Sequence, residues 1–141
     1  MANAAPNHIK YLLATKIINF ATDVFKVILM QSGFVYNKDT HALYGDVLAN
    51  ELASGNGYTQ GAKTLAGVTV TEDDTNDRCA VTWSNVTWTA GGGAIGPASG
   101  AIIYDDTAAN DPIVGYLDFG GDYTQPDGGT VTLIGVEVRI S

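Results

Sequence analysis

A chain of 141 residues that is 45% hydrophobic and 16% charged has the size of one domain and enough apolar side chains for a continuous core, which excludes a disordered chain or a highly charged helical rod. Seven Lys and Arg against fifteen Asp and Glu give a formal charge of −8, the wrong sign for gripping phosphates, so direct binding of DNA or RNA is disfavoured. The opening MANAAPNHIK lacks the apolar stretch of a secretory signal, and no run approaches the roughly 20 apolar residues of a membrane helix, so the expectation is a soluble, cytoplasmically made protein with no membrane partner.

The charge is uneven along the chain. Residues 1–50 hold Lys10, Lys16, Lys26 and Lys38 against Asp23, Asp39 and Asp46, whereas residues 72–127 hold ten acids and only Arg78. One acidic face or end is expected, suited to a basic partner surface or to solubility alone.

Seventeen glycines, many Thr and Val, and a turn cluster every ten residues or so predict short strands rather than helices. Residues 1–7, small and polar with Pro6, predict an N-terminal arm that is free unless a neighbour holds it, and residues 8–141 a single β-sandwich domain. His8 to Phe20 mixes both periodicities and is followed by the turn-like Ala21-Thr22-Asp23, which predicts a β-hairpin into Val24–Met30; only Lys26 interrupts that second strand, so it should be central. Asn37–Thr40 predicts the one short helical turn, with Asp39 or Thr40 as N-cap and Ala42-Leu43-Tyr44 as its body. Asn50 to Gly61 has the composition of a loop.

Strands are then expected at 63–71, 77–83, 86–89, 99–104, 113–119 and 130–140, each bounded by turn residues such as Asp73–Asn76, Ser84-Asn85, Gly91–Gly93 and Gly120–Gly129. In the last of these, Val131 and Leu133 differ in parity from Val136, Val138 and Ile140, which predicts a bulge near Ile134-Gly135 that brings both sets into one core. The fold class is therefore all-β, an antiparallel sandwich or jelly roll of about eight strands.

Candidate chemistry is sparse. A nucleophile–base pair needs a histidine, and only His8 and His41 exist, neither with a Ser or Cys partner implied by the sequence. Cys79, alone and alternating with Val81 and Trp83, reads as a small core side chain, and no second Cys or His stands at metal-ligand spacing. The runs Glu72–Asp77 and Asp105–Asp111 offer oxygens for a hard cation but lack EF-hand spacing, so a solvated hairpin tip is the reading adopted for the first and no metal is expected. Asp118 and Glu137 are the acids inside apolar strand patterns and the pair a glycosidase would use, yet both can equally point outward. Residues 91–96 are glycine-rich without the lysine of a phosphate loop, and mark a place where another chain passes close by. Trp83 and Trp88 flank a turn; either both sit in the core or one faces outward as an interface anchor. The chain reads as a non-enzyme with no catalytic residues and no cofactor.

The run Ile18-Asn19-Phe20, Thr22–Met30, then Asp39-Thr40-His41, Gly57-Tyr58-Thr59, Lys63-Thr64-Leu65, Val86–Thr89, Ala101–Thr107 and Gly115–Gly120 resembles a widespread family of small structural proteins of tailed bacteriophage particles. The resemblance extends from about residue 8 to the end of the chain. It implies a virion protein, and at a finer level a head cement or decoration protein of jelly-roll type that clamps the major capsid protein from outside. It implies no catalytic residue. A small homo-oligomer, dimer or trimer, on the outer capsid surface is the expectation, with the arm 1–7, the loop 50–61 and the glycine loop 91–96 as contacts. The alternative is a tail fibre or receptor-binding module that takes a host saccharide on exposed aromatics such as Tyr58, Trp88 or Tyr123.

Overall fold

The computed structural model describes residues 2–141. In chain order the elements are β1 (Ala2–Ala4), α1 (His8–Ala14), β2 (Phe25–Gln31), α2 (Tyr44–Val47) running into a 3-10 turn (Leu48–Asn50), β3 (Lys63–Thr64), β4 (Thr69–Asp73), β5 (Arg78–Thr82), β6 (Val86–Thr89), β7 (Ile95–Asp105), β8 (Ile113–Gln125), β9 (Thr130–Leu133) and β10 (Glu137–Ile140). Every pairing between these strands is antiparallel. A five-stranded sheet runs β1-β8-β7-β2-β3, a three-stranded sheet β10-β5-β4, and β6 pairs with β9. The all-β antiparallel sandwich predicted from the sequence is the fold that forms.

Strand β2 is central, as its apolar run requires. Phe25, Val27 and Leu29 point into one core with Ala101, Ile103 and Leu117 of the large sheet, with Val81, Trp88, Val131 and Val138 of the smaller sheets, and with Trp83 just past β5. The alternate residues Ile28 and Met30, with Ile102, Tyr104, Ile113 and Tyr116, face the other way into a second cluster, covered by Val47, Phe34, Tyr36 and Tyr44. A sheet buried on both faces needs a lid on each, and segment 34–47 supplies the second one. Aromatic packing fixes the first core: the Phe20 and Phe25 rings stack at 5.1 Å and Trp83 tilts against Phe25 at 5.4 Å.

Several local expectations need correction. His8–Phe20 is not a strand of a hairpin: His8–Ala14 is helical because Ile9 and Leu12, three apart, bury one side with Leu13 packed beside them, the periodicity of a helix face. The helix stops where Lys16 takes a positive φ of 59°. Residues 2–7 are not a free arm, since Ala2–Ala4 pair in register with Asp118–Tyr116 and Pro6 is buried. Three small residues with little side chain to bury still complete a sheet edge through main-chain hydrogen bonds. The short helix begins at Tyr44 rather than around Ala42, because the Asp46 carboxylate accepts the N–H groups of Ala42 and Leu43 at 3.0 and 2.9 Å and so caps the turn from inside.

The strands predicted at 63–71 and 130–140 each break in two, which with β1 gives ten strands. Gly67 and Gly135 adopt φ of 69° and 70° at the breaks, a backbone state costly for other residues. The expected bulge near Ile134-Gly135 is thus a full corner, but its consequence holds: Val131, Leu133, Val136 and Val138 are all buried. The strands expected at 99–104 and 113–119 extend to Ile95–Asp105 and Ile113–Gln125. Gly120–Gln125, read as part of a turn, continues β8 as an exposed ribbon, and the turn is confined to residues 126–129.

Deleting residues 1–5 is therefore expected to lower stability rather than leave the fold untouched. The loss of β1 pairing should amount to roughly 1–2 kcal/mol, a shift of about 3–6 °C in Tm by calorimetry.

Candidate functional site

Two carboxyl groups lie inside the molecule. Glu51 is 1% exposed and forms an isolated bridge with Met30. The Tyr58 hydroxyl donates to its Oε1 at 2.8 Å, the Gly61 N–H to the same oxygen at 2.9 Å, and the Tyr44 hydroxyl to Oε2 at 2.5 Å. Burial raises the pKa of both tyrosines well above the ordinary value, so they remain donors. Tyr58 in turn accepts the Leu29 N–H at 2.9 Å, and Tyr44 stacks on Tyr104 at 4.5 Å and 4°. The hydrogen-bond chain Leu29–Tyr58–Glu51–Tyr44 ties the loop 50–61 to the central strand. It is a structural clamp rather than a reactive site, because every ligand of the carboxylate is a donor from this chain.

Asp105, at the end of β7, is fully buried. Its Oδ1 accepts the N–H groups of Thr107 and Ala108 at 2.8 and 3.2 Å, while Oδ2 has no donor among the described residues. Desolvation by burial, with the nearby Asp23 carboxyl as a lesser cause, pushes its pKa up to about 6. Lys26 pairs with the neighbouring Asp106 at 3.3 Å.

The residues singled out from the sequence scatter over the molecule. His8 stacks on Tyr11, while His41 stacks on Phe34 and accepts the Asn37 N–H through Nδ1 at 3.1 Å. Cys79 is a half-buried free thiol beside the first core. The run Glu72–Asp77 is the β4–β5 hairpin tip, where Asp73 accepts from Asn76 and Arg78, and the Asn76 side chain in particular lowers its pKa. Among the described residues no three of His, Cys, Asp and Glu converge as a metal would need. Asp118 and Glu137 are engaged locally, the first accepting the Gly120 N–H at 2.9 Å and the second pairing with Arg139 at 3.1 Å.

The aromatics proposed for a saccharide surface do not gather there. Tyr58 and Trp88 are 2% and 3% exposed and pack in the core together with Trp83; of the three, Tyr123 alone is on the surface. Trp88 is buried because β6 alternates, with Val86 and Trp88 inward and the threonines outward. The glycine loop is fastened to its own chain, for Asn56 donates to Ala94 O at 2.9 Å and Gly92 N–H donates to Asp127 at 3.0 Å.

Exposed apolar side chains are scattered over the molecule, and two of them, Tyr123 and Ile134, share a groove that the sequence reading missed. A groove of about 500 Å³ lies between the outer half of β8 and β9, lined by Phe119, Tyr123, Val131, Leu133 and Ile134, with Ile134 68% and Tyr123 46% exposed. The signal for it was present in the ribbon Phe119–Gln125, whose glycines and polar residues read as a turn. No helix of the described residues is long and apolar enough to cross a membrane. Comparison with protein-family models, with curated proteins and with solved structures gave no match.

Proposed function

We propose that this chain is a structural protein of a tailed-bacteriophage particle, a cement or decoration protein that binds the outside of the capsid and stabilises contacts between major capsid protein subunits. The reading comes from the sequence resemblance, and the observation that carries it in the fold is the apolar groove between β8 and β9. An exposed Ile134 beside Tyr123 and Phe119 is an interface feature rather than a requirement of the sandwich. The net charge of −8 suits attachment to a basic outer surface better than contact with packaged DNA. The mechanism is additive: a rigid β domain bridging subunits buries modest area at each junction, and repetition over the lattice raises the barrier to rupture. The contact surface is reassigned from the N-terminal arm, whose Ala2–Ala4 pair with β8, to the β8–β9 groove.

Particles lacking the protein are expected to assemble but to rupture at lower temperature than complete ones. Ile134→Asp should keep the Tm of the isolated chain within about 2 °C, since an exposed substitution changes stability by no more than about 0.5 kcal/mol, while lowering occupancy on the shell at least tenfold in a co-sedimentation titration. Equal rupture temperatures, or undiminished occupancy of the variant, would remove this reading. Labelling at the tail tip would replace it with a receptor-binding one.

A further inference from the structure

The groove between β8 and β9 is walled by main chain as well as by side chains. It is lined by consecutive residues of β8, 119–123, and by consecutive residues at and just past β9, 131–134. Successive residues of a strand point to opposite faces. A depression on one face of a sheet would therefore be lined by alternate residues, and lining by every residue means that the groove runs along two strand edges. Among the described strands neither edge is in use. Strand β9 pairs with β6 on one side only. On β8, Asp118 is matched with Gly100 and with Ala2, and Tyr123 with Ala98, which leaves residues 119–122 without a partner in either register. The result is a slot between two edges, about 13–17 Å long at the rise of a strand.

Exposed edges are normally guarded, because their unpaired N–H and C=O groups are a template for any passing strand. Strands β3, β4 and β10, each at an edge of its sheet, carry charge: Lys63 on the first, Glu72 and Asp73 on the second, Glu137 and Arg139 on the third. Residues 130–134 carry neither charge nor proline, and their Thr, Val and Ile favour strands. The slot also selects its occupant. The edge strand of a second copy does not fit, since it would bring its own neighbour along and meet β8 on that side, whereas a single extended segment fits between both walls. Phe119, Tyr123 and Leu133 seat alternate apolar side chains of such a segment. Among the described residues no Lys or Arg lines the slot, while Asp122 stands in its wall and Asp118 next to Phe119. Charge complementarity therefore calls for basic residues flanking the segment.

We infer that this slot receives one extended strand donated by a partner protein, apolar at alternate positions and flanked by Lys or Arg, which hydrogen-bonds along the free edge of β9. The inference rests on the groove being the attachment surface in the reading above and names what enters it: an extended arm or loop of the major capsid protein rather than a flat patch of the shell.

The test mixes the full chain with a short synthetic peptide of alternating Val and Thr bearing a lysine at each end, and separately with its counterpart bearing glutamates, and follows binding by titration and by amide hydrogen exchange. The lysine peptide is expected to saturate and to slow exchange at least tenfold within residues 119–123 and 131–134. Its Kd should lie roughly threefold or more below that of the glutamate peptide, the scale of one exposed ion pair. Asp122→Lys, an exposed substitution, should abolish that preference. Absence of saturation, protection confined to other strands, or equal binding of the two peptides by the parent overturns the inference. Co-sedimentation with shells decides the capsid reading separately. Shell-bound chain without protection in the two stretches overturns the donated strand and leaves attachment standing, whereas a chain that takes the peptide but not the shell keeps the donated strand and removes the capsid protein as its source.

Discussion

Glu51→Ala is expected to be the most damaging single substitution outside the aromatic core, lowering unfolding free energy by about 3–5 kcal/mol, because removing one member of a buried polar cluster strands its partners. Three donors converge on this carboxylate, from Tyr44, Tyr58 and Gly61, and all three lose that acceptor at once. Tyr58 also receives the Leu29 amide, so the damage reaches β2 itself. Glu51→Gln separates charge from shape. Its carbonyl oxygen can still accept from Tyr58 and Gly61, while its amide turns a donor toward Tyr44, whose hydroxyl must rotate to accept; a loss of about 1–2 kcal/mol follows. Urea unfolding gives both values, and hydrogen exchange should show residues 50–61 losing protection first in the alanine variant. Equal losses for Ala and Gln, or a loss below about 1 kcal/mol for Ala, would mean that the clamp contributes little to holding the loop.

The clamp also shows where sequence reasoning stops. Strand positions were legible because the alternation in Val86–Thr89 and the apolar run in Phe25–Met30 are local patterns with local causes. The partners of Glu51 were not, since Tyr44, Tyr58 and Gly61 approach it only after loop 50–61 folds back on β2. Helix α1 was misread because Ile9, Leu12 and Leu13 fit a helix face for only two turns before the chain bends at Lys16, and a downstream turn signal favoured a hairpin. The pairing of Ala2–Ala4 carries no side-chain signature at all: its information lies in main-chain hydrogen bonds to an edge of β8. The same distance in sequence hides the depression at the edge of the second core, whose walls come from β1, the 34–36 segment, β7 and β8. Aromatic residues were recognisable as a class, but which of them reach the surface depended on register, and the core claimed Trp88 and Tyr58.

Asp105→Asn is expected to stabilise the protein above neutral pH and to lose that advantage in acid. Asp105 is fully buried, and its pKa of about 6 lies above the usual 3.8 of an aspartate. A carboxyl raised in this way favours folding fully below the unfolded pKa, where it is protonated in both states, and that contribution disappears as pH rises through about 6 and the folded state must ionise a desolvated group. The span between the two pKa values corresponds to roughly 2–3 kcal/mol withdrawn between acid and pH 7. Asparagine keeps the acceptor that Thr107 and Ala108 N–H groups use and carries no titrating group, so its stability has no such slope. The neighbouring Lys26–Asp106 pair is left intact. Asp73, whose pKa is lowered, works in the opposite direction in both proteins and cancels from the comparison. Thermal unfolding of parent and variant at intervals from pH 4 to pH 8 should therefore give Tm curves that meet in acid and diverge through about pH 6. A constant offset across the range would show that burial does not raise the Asp105 pKa.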